Sequence, residues 1–230
     1  MIEKMILYLK VNFPNILKVY YKFRFFYRAL YLKEPRASLI WRLKKGDRKF
    51  HKDYNLNKES ILFDVGGFEG EFTDKILKEF DCKSYIFEPH PYYFKNLKEK
   101  YKNNKNVIVF QYGLGGVTEN IYLTDDFESS KLSNERTNLE IQIKDITEVM
   151  KNLNIHKIDL LKLNIEGSEY NLLNRLINSG KINLVKKLII QFHENINDAD
   201  LKRNEIRNNL NKTHKEIWAY YFVWERWDKK

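Results

Sequence analysis

The sequence predicts an α/β fold, a doubly wound and mostly parallel sheet with a helical, basic extension at its N-terminus. Three observations predict it. From about residue 60 short apolar runs alternate with helical stretches, the pattern of strand–helix–strand units. The first run ends in a glycine-rich turn, Asp64-Val65-Gly66-Gly67-Phe68-Glu69-Gly70. The second run ends in an acid, Glu88, 22 residues after Gly66.

The strands are read in order as ILFDV (61–65), SYIFE (84–88), VIVFQY (107–112), DLLKLNI (159–165) and KLIIQFH (187–193), each with the length and the branched or aromatic content of a buried strand. Between them FTDKILKEF, YYFKNLKEKYK and SEYNLLNRLINS space their apolar residues at three and four, as helices do. ENIYLTDD and NLEIQIKD are extra strands where a helix is expected. Near the end, EIWAYYFVWERW is read as one terminal strand after the helix DADLKRNEIRNNL.

Charge divides the chain. Residues 1–52 hold 14 Lys and Arg against 3 Asp and Glu, whereas residues 53–230 hold 27 against 28. The expected division is therefore a basic, aromatic helical extension over residues 1–55 and a ligand-binding domain over 56–230. The extension is interrupted near Pro14 and Pro35. Three readings of it stand open: a helical extension that packs its aromatics on the main domain, a helix for an anionic membrane surface, and a nucleic-acid surface, for which no recognised RNA-binding motif is present. Cys82 is the single cysteine, which excludes an internal disulfide and favours a reducing cytoplasm. No signal peptide and no membrane-spanning apolar run is expected. A place at the inner face of a membrane would suit the basic segment.

The turn and the acid point to a ligand with a ribose. Glycines let the backbone bend and let a ligand approach, helix-start N–H groups face the crevice, and a carboxylate at the end of the second strand can accept bonds from two ribose hydroxyls. Pro89 and Pro91 fix the chain as it leaves that strand. NAD and S-adenosylmethionine both carry a ribose. The order D-x-G-G-x-x-G departs from the dinucleotide G-x-G-x-x-G, and Asp64 would repel a pyrophosphate while favouring a cationic sulfonium ligand. The sequence thus favours S-adenosylmethionine.

These segments resemble the FkbM-type family of S-adenosylmethionine-dependent methyltransferases. FDVGGFEGEFT (63–73) is similar to that family's DVGAN-x-G-x-x-T turn, IFEPHP (86–91) to its E-P-x-P motif, and LLKLNIEGSEYNLL (160–173) to its K-I-D-V-E-G-x-E segment. The resemblance covers roughly residues 60–195. It implies the class I methyltransferase (Rossmann-like) fold, whose sheet ends with a reversed terminal strand, and O-methylation of a sugar, glycan precursor or similar small molecule. On it the cofactor would meet Asp64, Gly66, Gly67, Gly70, Thr73, Glu88, Pro89 and Tyr112. Two departures stand out: Gly67-Phe68 where the family has Ala-Asn, and Asn164 where it has aspartate.

Methyl transfer to oxygen needs alignment of donor and acceptor and removal of the hydroxyl proton. His193, at the end of the fifth strand, is the candidate base. Glu166 and Glu169, at the carboxyl end of the fourth, are candidates to orient the acceptor, and Lys162, Asn164 and Ser130 to bind it. A lysine between leucines such as Lys162 is expected to pair with a carboxylate. A divalent cation on Glu166, Glu194 and His193 is the less favoured reading, so no metal ligands are assigned. His51, His90, His156 and His214 remain unassigned. Leu114–Asn138 is expected to form a hairpin and loop beside the cleft. The rivals to a small-molecule O-methyltransferase are an RNA methyltransferase and a cofactor-binding scaffold that has lost catalysis, the latter suggested by Asn164.

Overall fold

The apolar runs become strands buried on both faces, and their order in the sheet fixes where a ligand can bind. A computed structural model describes residues 14–50, 52–123 and 139–230. It divides into two compact units, one of residues up to Phe50 together with Tyr220–Val223, the other of His51–Ala219 and Trp224–Lys230.

The larger unit holds β1 (Ile61–Val65), α4 (Glu71–Glu79), β2 (Lys83–Phe87), α5 (Pro91–Lys100), β3 (Val107–Phe110), β4 (Gly113–Gly115), β5 (Glu119–Leu123), β6 (Leu139–Asp145), α6 (Ile146–Asn152), β7 (Leu160–Leu163), α7 (Glu169–Asn178), β8 (Lys187–Ile190), α8 (Ala199–Leu210), β9 (His214–Tyr220) and β10 (Trp224–Lys229). Seven strands form one sheet in the order β3-β2-β1-β7-β8-β10-β9. The neighbours β1–β2, β2–β3, β1–β7 and β7–β8 are parallel, and β10 runs antiparallel to β8. This is the class I methyltransferase arrangement, mostly parallel with a reversed strand near one edge. Strand order reverses between β1 and β7, the place where open α/β sheets bind ligands beyond their carboxyl ends. Leu62, Phe63, Ile86, Phe87, Leu161 and Leu188 are buried, as strands covered on both faces require. On one face Leu97 of α5 and Tyr101 at its C-cap pack with Ile86, Val107 and Val109.

Two details differ from the sequence reading. The run VIVFQY does not continue as one strand. It ends at Phe110, whose ring stacks on Phe87 (5.3 Å, 12°), and the chain then turns away to build β4. β4 pairs in parallel with β6, which pairs antiparallel with β5, so the two inserted strands form a second, three-stranded sheet. The terminal run EIWAYYFVWERW is two strands. The turn between them has no Gly, Pro or Asn; Phe222 takes a left-handed conformation (φ 50°) and Val223 N–H donates to Tyr220 O at 2.9 Å. An unbroken aromatic run conceals such a turn. The interruption expected near Pro35 is present: α1 (Pro14–Tyr31) ends before Leu32, and Pro35 lies in the first turn of α2 (Lys33–Leu43), where a missing N–H costs nothing.

The smaller unit contains α1, α2 and the short α3 (Gly46–Lys49). Trp41 is its anchor: the indole is buried, lies edge-on to Tyr220 (5.1 Å) and Phe50 (6.1 Å), and donates to Asp47 Oδ1 at 3.1 Å. Among the described residues no helix is long and apolar enough to cross a membrane.

Glu225 of β10 ties α8 to the sheet. Its buried carboxylate pairs with Arg203, accepts from Arg207 at 2.6 Å and accepts from Trp227 Nε1 at 2.9 Å. Breaking a buried pair leaves uncompensated charge at a cost of about 3–5 kcal/mol. We therefore expect Glu225→Ala to lower unfolding free energy by roughly that amount in urea titrations. A loss under about 1 kcal/mol would show the network to be dispensable.

Candidate functional site

The turn after β1 is packed too closely against its neighbours for side chains at its two glycines. Gly66 (φ +85°) and Gly67 both donate to Phe87 O, at 3.0 and 3.4 Å. A Cβ on Gly66 would lie 2.0 Å from Asn164 O, and one on Gly67 would lie 2.2 Å from Ile86 Cγ2. Neither position accepts a side chain. Gly70 leads into α4.

Beneath the turn sits a buried polar knot. Asp64 is fully buried; its Oδ2 accepts from Thr73 Oγ1 at 2.8 Å, and its Oδ1 lies 3.0 Å from Lys162 Nζ as an ion pair outside hydrogen-bond geometry. Lys162 Nζ also donates to Gly66 O at 2.7 Å. One lysine on β7 therefore holds both the acid on β1 and the first carbonyl of the turn. This places Asp64 under the turn, with its charge matched by Lys162, rather than as a free acid facing a ligand. Thr73 and Lys162 likewise have their polar atoms committed inside the protein.

Glu88 is buried at the end of β2, where Oε2 accepts from Phe68 N–H at 2.8 Å and Oε1 from His90 N–H at 2.9 Å. Burial pushes its carboxyl up from the ordinary carboxylate range, and those two backbone donors oppose the rise. Each oxygen keeps a further lone pair for a ligand. Pro89 follows, partly exposed, and Tyr112 packs on Phe87 and Phe110 with Lys144 Nζ 4.1 Å above its ring. Phe68 is left-handed (φ 48°), and its half-exposed ring contacts Tyr93 with centroids 4.4 Å apart. This aromatic pair beside the turn escaped the sequence reading. A bulky residue in a turn that needs a positive φ was the available signal.

The loop after β7 carries the second cluster. Glu166 (φ +53°) and Gly167 (φ +106°) curl the chain so that fully buried Glu169 accepts from Ile165 N–H at 2.7 Å and Gly167 N–H at 2.9 Å. The same Glu169 carboxylate lies 2.9 Å from His193 Nδ1, while Glu166 Oε2 lies 3.5 Å from His193 Nε2. Tyr170 OH donates to His193 O at 2.8 Å. The structure thus brings together His193, Glu166 and Glu169, the three residues singled out for the acceptor side. Burial by itself would push His193 down, but hydrogen bonds and charge from Glu166 and Glu169 carry it up to about 9, and the imidazole holds Glu166 below its ordinary value.

Asn164 donates its backbone N–H to Val65 O at 3.1 Å, and its buried Oδ1 has no hydrogen-bond partner among the described residues. Ser130 and the acidic segment around it lie outside the described residues. Among those described, no group of three or more His, Cys, Asp or Glu side chains is arranged to hold a metal ion. His90 caps α5 through Nδ1, which accepts from Tyr92 N–H, and His214 is buried with Nε2 2.9 Å from Val185 O.

The profile of the methyltransferase FkbM domain matches residues 60–223. No curated protein matches the sequence. Similar solved structures include a fibrillarin pre-rRNA processing protein of Methanococcus jannaschii (12% identity, 75% of this chain and 67% of that one, TM-score 0.45). They also include a putative methyltransferase of Streptococcus mutans in complex with SAH (12%, 81% and 97%, TM-score 0.46) and an rRNA methylase of Streptococcus thermophilus (9%, 80% and 94%, TM-score 0.45).

The two flanking carboxylates make His193 an imidazolium at neutral pH. We expect nitrogen-detected NMR to find both ring nitrogens protonated at pH 7, with a titration midpoint near 9. Glu166→Gln should move that midpoint down. A midpoint near the ordinary 6.5 in the unmodified protein would contradict the geometry.

Proposed function

The chain belongs to the methyltransferase FkbM domain family, and on that premise we propose that it transfers the methyl group of S-adenosylmethionine to a hydroxyl of a sugar, glycan precursor or similar small molecule in the cytoplasm. The observation that carries the cofactor assignment is the Phe68 N–H to Glu88 bond, which joins the glycine turn and the acid at the end of β2 into one wall of the crevice. The residues present fit such a ligand. Gly66 and Gly67 keep side chains out of the turn, Glu88 offers lone pairs to ribose hydroxyls, and Asn164 Oδ1 is a buried acceptor in want of a donor. Leaving such an acceptor unsatisfied costs about 1–3 kcal/mol.

In this reading Gly66, Gly67 and Gly70 cradle the amino-acid end, Glu88 holds the ribose, and Pro89 and Tyr112 line the base. When bound, the cofactor supplies an electrophilic methyl carbon on a sulfonium. Asp64, Thr73 and Lys162 act on it indirectly by fixing the turn. Asn164 and Glu166 orient the acceptor, and His193 takes its hydroxyl proton while Glu169 holds the ring and stabilises the imidazolium that results. Because Glu166 and Glu169 carry His193 up to about 9, it must first lose a proton to act at neutral pH. The sign is therefore fixed: turnover rises with pH toward 9 and levels above it.

Calorimetric titration with S-adenosylmethionine, and separately NAD, tests the assignment. We expect S-adenosylmethionine to bind, NAD not to bind, and Glu88→Ala to weaken binding at least tenfold, which corresponds to about one lost charged hydrogen-bond partner. Turnover on hydroxylated acceptors should follow the rising limb just described. Binding without turnover on any acceptor would favour the scaffold reading, and no binding of either ligand would end the cofactor assignment.

A further inference from the structure

We propose that α1 is an interfacial helix that lies in the surface of an anionic phospholipid membrane, apolar face inward. Val19, Phe23, Phe26, Tyr27 and Leu30 fall at i, i+4, i+7, i+8 and i+11, one stripe of a helix, with Tyr20 and Tyr31 at its margins. Every one of these side chains is exposed; Phe23 is 75%, Leu30 66% and Tyr31 70% accessible. A helix that serves only to pack on its neighbours buries this stripe. Here α1 packs beside and behind it, where Ala29 at the edge of the stripe is buried and Phe25 on the far side lies under the Arg42 guanidinium at 5.0 Å.

Charge selects the occupant. Lys22 and Arg24 flank the exposed stripe on its two sides and Lys18 and Arg28 stand behind it, while α1 carries no Asp or Glu. Cations that rim an aromatic face can reach up to lipid phosphates while the rings sit among the headgroups and upper acyl chains. A second copy of the chain would bring the same cations together and repel; an anionic lipid surface neutralises them. The stripe is also not flat. Phe23, Phe26, Tyr27, Ala29, Leu30 and Leu39 line an apolar groove of about 320 Å³ between α1 and α2, which offers room to part of an acyl chain. With no described helix able to cross the bilayer, the attachment would be peripheral.

The test is sedimentation of the full-length protein with vesicles of phosphatidylcholine alone or mixed with phosphatidylglycerol, at low and high salt. We expect binding to the anionic vesicles, with a marked loss in high salt and much weaker binding to phosphatidylcholine. Phe23→Glu with Tyr27→Glu should abolish binding, and Lys22→Gln with Arg24→Gln and Arg28→Gln should weaken it on the order of tenfold or more. All five positions are exposed, so circular dichroism and cofactor titration should be unchanged in both variants. The proposal is overturned if the unmodified protein ignores anionic vesicles, or if the Glu pair leaves binding intact. It is equally overturned if centrifugation shows a dimer that the Glu pair dissolves while no vesicle is bound.

Discussion

The Asp64–Lys162 pair, buried where β1 and β7 meet, is the contact on which the crevice depends. Two charges taken out of water at the centre of a sheet persist only if each is matched. Lys162 meets that demand and in doing so donates to Gly66 O, which pins the first peptide of the turn. Thr73 completes the knot from α4, so strand, turn and helix share one polar centre. From the turn so fixed, Phe68 N–H reaches Glu88 and sets the second strand end against the first. The proposed cofactor crevice rests on this chain of contacts rather than on any single motif residue.

A second buried acid organises the acceptor side in the same manner. Glu169 accepts two backbone N–H groups of its own loop and spends its remaining capacity on His193. That arrangement fixes the ring and its charge at once. In the proposed reaction the carboxylates that would stabilise the product imidazolium are the ones that carry His193 up to about 9 beforehand.

Much of this was legible in the sequence. Fully buried parallel strands read as continuous apolar runs, and a glycine turn with an acid two strands' reach away is a local pattern, so β1, β2, β7 and β8 and the positions of Gly66 and Glu88 could be read directly. Lys162 between leucines announced a buried partner, and the partner is Asp64. The rest depended on contacts distant in sequence. Nothing in the IEGSE segment reveals that Glu169 turns back to its own loop and meets a histidine 24 positions on. The β9–β10 turn lacks the residues that mark turns, and the exposure of the α1 stripe is a tertiary fact that its periodicity alone leaves open between core and membrane.

The most direct measurement of the central claim compares Lys162→Met with Asp64→Asn/Lys162→Met by urea unfolding and S-adenosylmethionine titration. The single substitution strands a buried carboxylate, so we expect a loss of about 3–5 kcal/mol and weakened binding, with much of the stability regained in the double variant, where neither position carries a charge. A single variant that keeps both stability within about 1 kcal/mol and full affinity would contradict the claim that this ion pair holds the turn in place.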